Sequence, residues 1–133
     1  MLLRIHHVGI AVDGLDAARH TWGGLLGLVA TGAETISDQR VRVEFYPVGE
    51  SKIECLESAA PDSPVGRFLA SRGPGLHHVA FEVDDIEEAL AKARSGGARL
   101  VDERPRRGAG GNKIAFLHPS STGGALVELV EPA

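Results

Sequence analysis

His6-His7-Val8-Gly9-Ile10-Ala11-Val12-Asp13 returns, 71 residues further on, as His77-His78-Val79-Ala80-Phe81-Glu82-Val83-Asp84. Both copies are apolar and rich in β-branched residues, and both run straight into an amphipathic helical pattern. Two equivalent strand–helix units in so short a chain point to two fused modules. A duplicated fold does not require duplicated histidines, so their recurrence asks for a chemical explanation.

Working outward from the first copy, Leu3–Val12 reads as a strand, and Asp13 is placed to cap the next helix. Leu15, Ala18, Trp22 and Leu25 recur at helical spacing, and Gly27 supplies a stop. Strands follow at Leu28–Ile36, Gln39–Val48 and Lys52–Glu57, the last two joined through Gly49-Glu50 as a two-residue turn. From the second copy the same order emerges. Gly75–Val83 is a strand, and Asp84-Asp85-Ile86-Glu87 resembles a capping box. Ile86, Ala89, Leu90 and Ala93 form a helical face that Gly96-Gly97 ends, with strands at about Arg99–Glu103, Lys113–His118 and Ala125–Glu131. The expected class is α+β, with two βαβββ modules in a single domain over 1–133. Module 1 covers about 1–58 and module 2 about 74–133. Between them, a linker helix over about 62–73 opens at Ser63-Pro64 and closes at Gly73-Pro74.

Strand alternation selects among the histidines. Val8, Ile10 and Val12 suit a helix-packed face, which leaves His7, Gly9 and Ala11 on the other. In the second copy Val79, Phe81 and Val83 pack inward, leaving His78 and Ala80 opposite. His6 and His77 then fall on the helix side and are expected to be structural. The last strands supply a second matched pair, Glu54 in Ile53-Glu54-Cys55-Leu56 and Glu128 in Val127-Glu128-Leu129-Val130. A carboxylate within an apolar strand is costly unless it faces water, a cation or a metal. His7, Glu54, His78 and Glu128 together would suit a hard divalent cation and leave two octahedral positions for substrate. Glu57 and Glu131 are expected to end their strands in solvent, His20 and His118 to be surface or structural residues, and Cys55 to be a buried small hydrophobe.

Composition sets outer bounds. A 43% hydrophobic and 24% charged chain is that of an ordinary globular protein, and a net charge of −4 argues against a nucleic-acid partner. One cysteine rules out an internal disulfide. No stretch suits a membrane span or a signal peptide, so a cytoplasmic location without membrane contact is expected. Gly108–Gly111 lacks the strand–loop–helix setting of a phosphate loop. The Arg104-Pro105-Arg106-Arg107 run is read as a solvated loop, with an anionic ligand tail as the sharper alternative.

Several stretches resemble the vicinal oxygen chelate (glyoxalase-like) superfamily, and within it the methylmalonyl-CoA epimerase family. They are the first His-His-Val strand, Val48-Gly49-Glu50-Ser51-Lys52-Ile53-Glu54, Asp62-Ser63-Pro64, Gly75–Ile86, Gly110-Gly111-Asn112-Lys113-Ile114-Ala115-Phe116-Leu117-His118-Pro119 and Gly124-Ala125-Leu126-Val127-Glu128-Leu129. The resemblance implies paired modules forming an incomplete barrel around a metal site, in a homodimer. Its ligand positions fall on His7, Glu54, His78 and Glu128. Some relatives carry Gln where this chain has Glu54.

The activity implied is interconversion of (2R)- and (2S)-methylmalonyl-CoA, a CoA thioester, through an enolate. A divalent metal is implied, Co²⁺ first, with Mn²⁺, Mg²⁺ or Zn²⁺ as substitutes, since no electrons move. Glu128 is the implied base. Some relatives place a second carboxylate on the strand spanning Val41–Phe45, where Glu44 is the nearest candidate. A two-residue turn at Gly49-Glu50 would turn Glu44 away and a three-residue turn would reverse this. Gln39 or a bound water are alternatives. Lys113 and Asn112 are candidate substrate contacts. A lactoylglutathione lyase is the nearest rival, and a drug-sequestering protein of the same fold the rival from a different functional class.

Overall fold

The structure is a computed structural model that describes residues 2–133. Its elements follow two βαβββ sequences. The first comprises β1 (Leu2–Val12), α1 (Leu15–Ala18), β2 (Gly32–Ile36), β3 (Val41–Val48) and β4 (Ser51–Ser58). After α2 (Pro64–Arg72), the second comprises β5 (Gly75–Val83), α3 (Ile86–Ser95), β6 (Arg106–Arg107), β7 (Lys113–Leu117) and β8 (Val127–Glu131). The chain partitions into two compact units, His7–His77 and residues 2–6 with His78–Ala133. The partition cuts β1 at the His6–His7 bond, so the first strand serves both units. The linker helix belongs to the first.

In the unit His7–His77 the strand order is β2-β3-β4-β1. β4 runs parallel to β1, with Gly9 opposite Glu54 and Ala11 opposite Leu56. β3 is antiparallel to β4, with Phe45 opposite Glu54 and Glu44 opposite Cys55. This register is the one a two-residue Gly49-Glu50 turn requires. Alternation then produces two apolar layers. Ala11, Val41, Val43 and Leu56 pack with Val65, Phe68 and Leu69 of α2, and Val12, Tyr46 and Cys55 pack with Leu15, Ala18 and Trp22. α2 begins as its sequence dictates: Ser63 Oγ accepts from the Gly66 N–H, Pro64 needs no donor, and Gly73 ends it.

The helix expected to run unbroken from Leu15 keeps α geometry only to Ala18. It then widens into a π-helical segment, Arg19–Leu25, where the Leu26 N–H reaches back five residues to the Thr21 carbonyl at 2.9 Å. Gly23-Gly24 contributes no side chain to hold the narrower turn there.

In the other unit β5 runs parallel to β8, with Ala80 opposite Glu128. β7 pairs antiparallel with β8 and with β6, so that Phe116 faces Glu128 and Arg106 faces Ile114. Residues 2–6 of β1 lie beside β5, where Arg4 Nε donates to Glu82 at 2.9 Å. One layer holds Val83, Leu129 and Ala115 against Ile86 and Leu90 of α3; the other holds Ala80, Ile114, Phe116 and Val130.

The strand expected over Arg99–Glu103 does not form. Leu100 makes a lone bridge to Leu117, and Asp102 Oδ2 takes the Phe116 N–H at 2.8 Å. A side chain thus occupies a donor that a ladder carbonyl would have used. The paired strand starts only after Pro105.

Candidate metal centre

Each unit carries one histidine–glutamate pair on matching elements. In the first, His7 of β1 and Glu54 of β4 lie on the same face, because Gly9 stands opposite Glu54 and shares the parity of His7. His7 Nδ1 is 3.2 Å from Glu54 Oε2. In the second, His78 of β5 and Glu128 of β8 share the face of Ala80, and His78 Nε2 is 2.9 Å from Glu128 Oε1. The four residues are 4–8% exposed, inside the range where an uncompensated carboxylate is expensive. Each pair belongs to a group whose ligand atoms lie within 4.8 Å of one another. Imidazole nitrogen and carboxylate oxygen at such separations are donors that a divalent cation of intermediate hardness accepts. The residues therefore fit a metal.

The other histidines divide less cleanly than alternation suggests. His6 is buried like His7, with a ring nitrogen near that of its neighbour. His77 meets the Phe68 ring edge-on at 5.0 Å, a packing role. His118 caps the short turn after β7, its ring Nδ1 accepting from the Ser120 N–H.

Glu44 is not brought to the face of His7 and Glu54. Its register places it with Cys55 on the opposite side of the sheet, where Arg19 Nε donates to both its oxygens at 3.0 and 3.1 Å and the Tyr46 hydroxyl donates at 2.7 Å. Burial pushes the Glu44 carboxyl up, but the Arg19 and Tyr46 hydrogen bonds, with the Arg19 charge, outweigh it and hold the group below its usual range. Burial, then the Glu44 charge, pushes the Cys55 thiol up to about 12, so Cys55 is an inert core residue. Val43 and Phe45 are the β3 residues on the histidine's face.

Lys113 shares the parity of Ala115 and Leu117, which pack toward α3. Its ammonium lies 3.6 Å from Glu131, and Asn112 Oδ1 accepts from the Ala133 N–H at 3.1 Å. Lys113 therefore faces away from the His78–Glu128 pair, on the side of α3.

The two glutamates expected in solvent have partners instead. Glu57 Oε2 accepts the Leu15 N–H at 2.8 Å, and Glu131 Oε1 accepts the Ile86 N–H at 2.9 Å. The last strand of each module thus caps its own helix, which makes an Asp13 cap unnecessary: the residue before Leu15 is Gly14, which makes no side-chain cap. Their matched position, three residues after Glu54 and Glu128, was the available signal.

A family model described as the Glyoxalase/Bleomycin resistance protein/Dioxygenase superfamily matches residues 6–116. The chain belongs to this superfamily. It is 37% identical over 131 residues to an ethylmalonyl-CoA/methylmalonyl-CoA epimerase of Cereibacter sphaeroides, covering 97% of this chain and 98% of that one. It is 43% identical over 129 residues to the uncharacterized protein YqjC of Bacillus subtilis, covering 97% and 92%. Among solved structures, a Streptomyces coelicolor methylmalonyl-CoA epimerase variant in complex with 2-nitronate-propionyl-CoA superimposes with a TM-score of 0.97 at 37% identity, over 100% of this chain and 96% of that one.

Proposed function

We infer that the chain is a methylmalonyl-CoA epimerase that interconverts the (2R) and (2S) thioesters through an enolate, and that His7, Glu54, His78 and Glu128 hold one divalent metal ion. The observation carrying this reading is the doubled histidine–glutamate pair, in a chain whose relatives include epimerases aligned over nearly its full length. Co²⁺ suits the mixed nitrogen and oxygen donors, and Mn²⁺, Mg²⁺ or Zn²⁺ would serve the same non-redox role. When bound, the cation supplies Lewis acidity to the thioester and carboxylate oxygens of the substrate.

The protein's own part is proton handling and orientation. Glu128 takes the C2 proton, and the C–H electron pair moves into the enolate. A proton from a water molecule returns to the opposite face of the planar carbon and gives the other epimer, while Glu128 passes the proton it took to solvent. His78 Nε2 and Glu128 Oε1, 2.9 Å apart, are close enough to share one cation, which would hold the carboxylate in a fixed direction. Glu44 is not the second proton carrier in this scheme, because β3 turns Val43 and Phe45 toward the face of His7. The active form is a homodimer, a reading supported by Leu2, Leu3 and Ile5 at 45–54% exposure on the first strand.

The test is proton NMR of methylmalonyl-CoA in D₂O with Co²⁺-loaded protein. Exchange of the C2 hydrogen and loss of stereochemical purity are expected. Glu128→Gln should cut the exchange rate by about 10²–10⁴-fold, and a chelator should abolish it. A C2 proton that persists at full metal occupancy overturns the epimerase reading. Turnover of the glutathione–methylglyoxal hemithioacetal would then establish the lyase.

A further inference from the structure

Of the three arginines in the Arg104–Arg107 run, only Arg106 is drawn inward. β6 is two residues long, and pairing Arg106 with Ile114 decides its direction. Ile114 shares the parity of Phe116, and Phe116 stands opposite Glu128, so Arg106 rises from the face that carries His78 and Glu128. Its guanidinium lies over the Phe116 ring, 5.8 Å from the centroid, and the Phe116 ring in turn meets His78 edge-on at 5.5 Å. One aromatic side chain therefore separates this cation from the metal-competent pair.

Arg106 is also built in place. Asp102 Oδ1 accepts from Arg106 Nε at 3.0 Å while Asp102 Oδ2 accepts the Phe116 N–H at 2.8 Å. The carboxylate ties the arginine to the strand on which its stacking partner sits. Among the described residues, Nε makes the guanidinium's hydrogen bond, which leaves the two Nη groups to donate outward. The side chain is 32% exposed, enough to be reached and too little to be a mobile surface arginine. Arg94, by contrast, is 52% exposed and pairs with a glutamate that is 71% exposed.

Charge balance gives this placement a purpose. Resting on the epimerase reading above, Glu54 and Glu128 cancel the charge of a divalent cation. An anionic acyl-CoA, and the further negative charge of its enolate, then meet no net positive charge from the metal site itself. A planar guanidinium with paired donors is the side chain best matched to a carboxylate or phosphate. We propose that Arg106, oriented by Asp102 and stacked on Phe116, is a substrate-binding residue that holds an anionic oxygen group of the acyl-CoA, either its malonyl carboxylate or a CoA phosphate.

The test is titration calorimetry of Co²⁺-loaded protein with malonyl-CoA, malonyl-pantetheine, which lacks the nucleotide phosphates, and propionyl-CoA, which lacks the carboxylate. Arg106→Gln should weaken malonyl-CoA binding by about 10–100-fold, the value of a charge-assisted pair. A loss shared with malonyl-pantetheine and absent for propionyl-CoA assigns the carboxylate; the reverse assigns a phosphate. Arg106→Lys keeps the charge without the fork and should recover only part of the affinity.

A second measurement needs no variant. Saturating malonyl-CoA should slow phenylglyoxal modification of Arg106, read by peptide mass spectrometry, by at least about tenfold. Binding of all three ligands within twofold of wild type by a folded Arg106→Gln, or modification at an unchanged rate, overturns the proposal while leaving the epimerase reading intact. Wild-type protein that binds no malonyl-CoA overturns both.

Discussion

Glu44 and Glu54 stand almost opposite each other on neighbouring antiparallel strands, yet they belong to different chemistries. One register step separates them: Glu54 faces Phe45, and Glu44 faces Cys55. Glu44 therefore meets Arg19 and Tyr46 instead of His7. Glu44→Gln is expected to leave epimerisation within about threefold of wild type, because its carboxylate lies on the opposite face of the sheet from Glu54. It should lower Tm by about 5 °C through loss of the charge-assisted bond from Tyr46. Its pH dependence has a definite sign. The folded carboxyl is held below its usual value of 4.5, so the folded state binds fewer protons than the unfolded one as pH approaches that value. The stabilisation is full above that value and lost as pH falls through the folded pKa. The Tm gap between wild type and Glu44→Gln should accordingly narrow below about pH 4.5 in calorimetric scans. Loss of epimerase activity by more than a hundredfold in a folded Glu44→Gln would contradict this placement.

At the scale of elements, the glutamates that end β4 and β8 decide how each module's helix begins. Glu57 accepts from the first turn of α1 and Glu131 from that of α3. A carboxylate there meets both an unsatisfied N–H and the positive end of the helix dipole. Glu57→Ala and Glu131→Ala should each cost about 1 kcal/mol in urea unfolding. α3 retains Asp85, whose carboxylate accepts the Glu88 N–H, so the Glu131 change should be the milder.

The loop before β7 depends on close approach. A Cβ at Gly108 would sit 2.7 Å from Ile114 Cγ2, and Ile114 is buried and stiff at χ1. Gly108→Ala should destabilise by about 1–3 kcal/mol and should also weaken substrate binding, since Ile114 is the register partner of Arg106.

The whole molecule repeats one design twice, down to the histidine, the glutamate and the helix-capping glutamate of each module. If the two pairs hold a metal, chelation should lower Tm, and Co²⁺ at a hundredfold excess over its Kd should restore about 3 kcal/mol of stability. A Tm insensitive to both treatments would remove the metal from the account. Among the described residues, no helix is long and apolar enough to cross a membrane.

Much of this was legible in the chain itself. Alternation in β1, β4, β5 and β8 is set by covalent geometry, although in the first module both faces are apolar and covered, Ala11 and Leu56 by α2 on the histidine face and Val12 and Cys55 by α1 on the other. His7, His78, Glu54 and Glu128 could therefore be assigned to faces without coordinates. Ser63-Pro64 announced its helix through local capping chemistry, and the cap read over Asp84–Glu87 forms one residue later, where Asp85 accepts the Glu88 N–H. What the tertiary structure alone decided were the partners of side chains that act at long range. Glu44 found Arg19, Glu57 and Glu131 found helix ends 42 and 45 residues away, and Asp102 replaced a strand by bonding Phe116. The physical reason is that alternation fixes the side of a sheet a residue faces, whereas what lies on that side depends on strand register and on the elements packed above it. Arg106 shows the difference: as sequence it is one charge in a solvated run, and only its pairing with Ile114 sets it on Phe116 beside the metal-competent histidine.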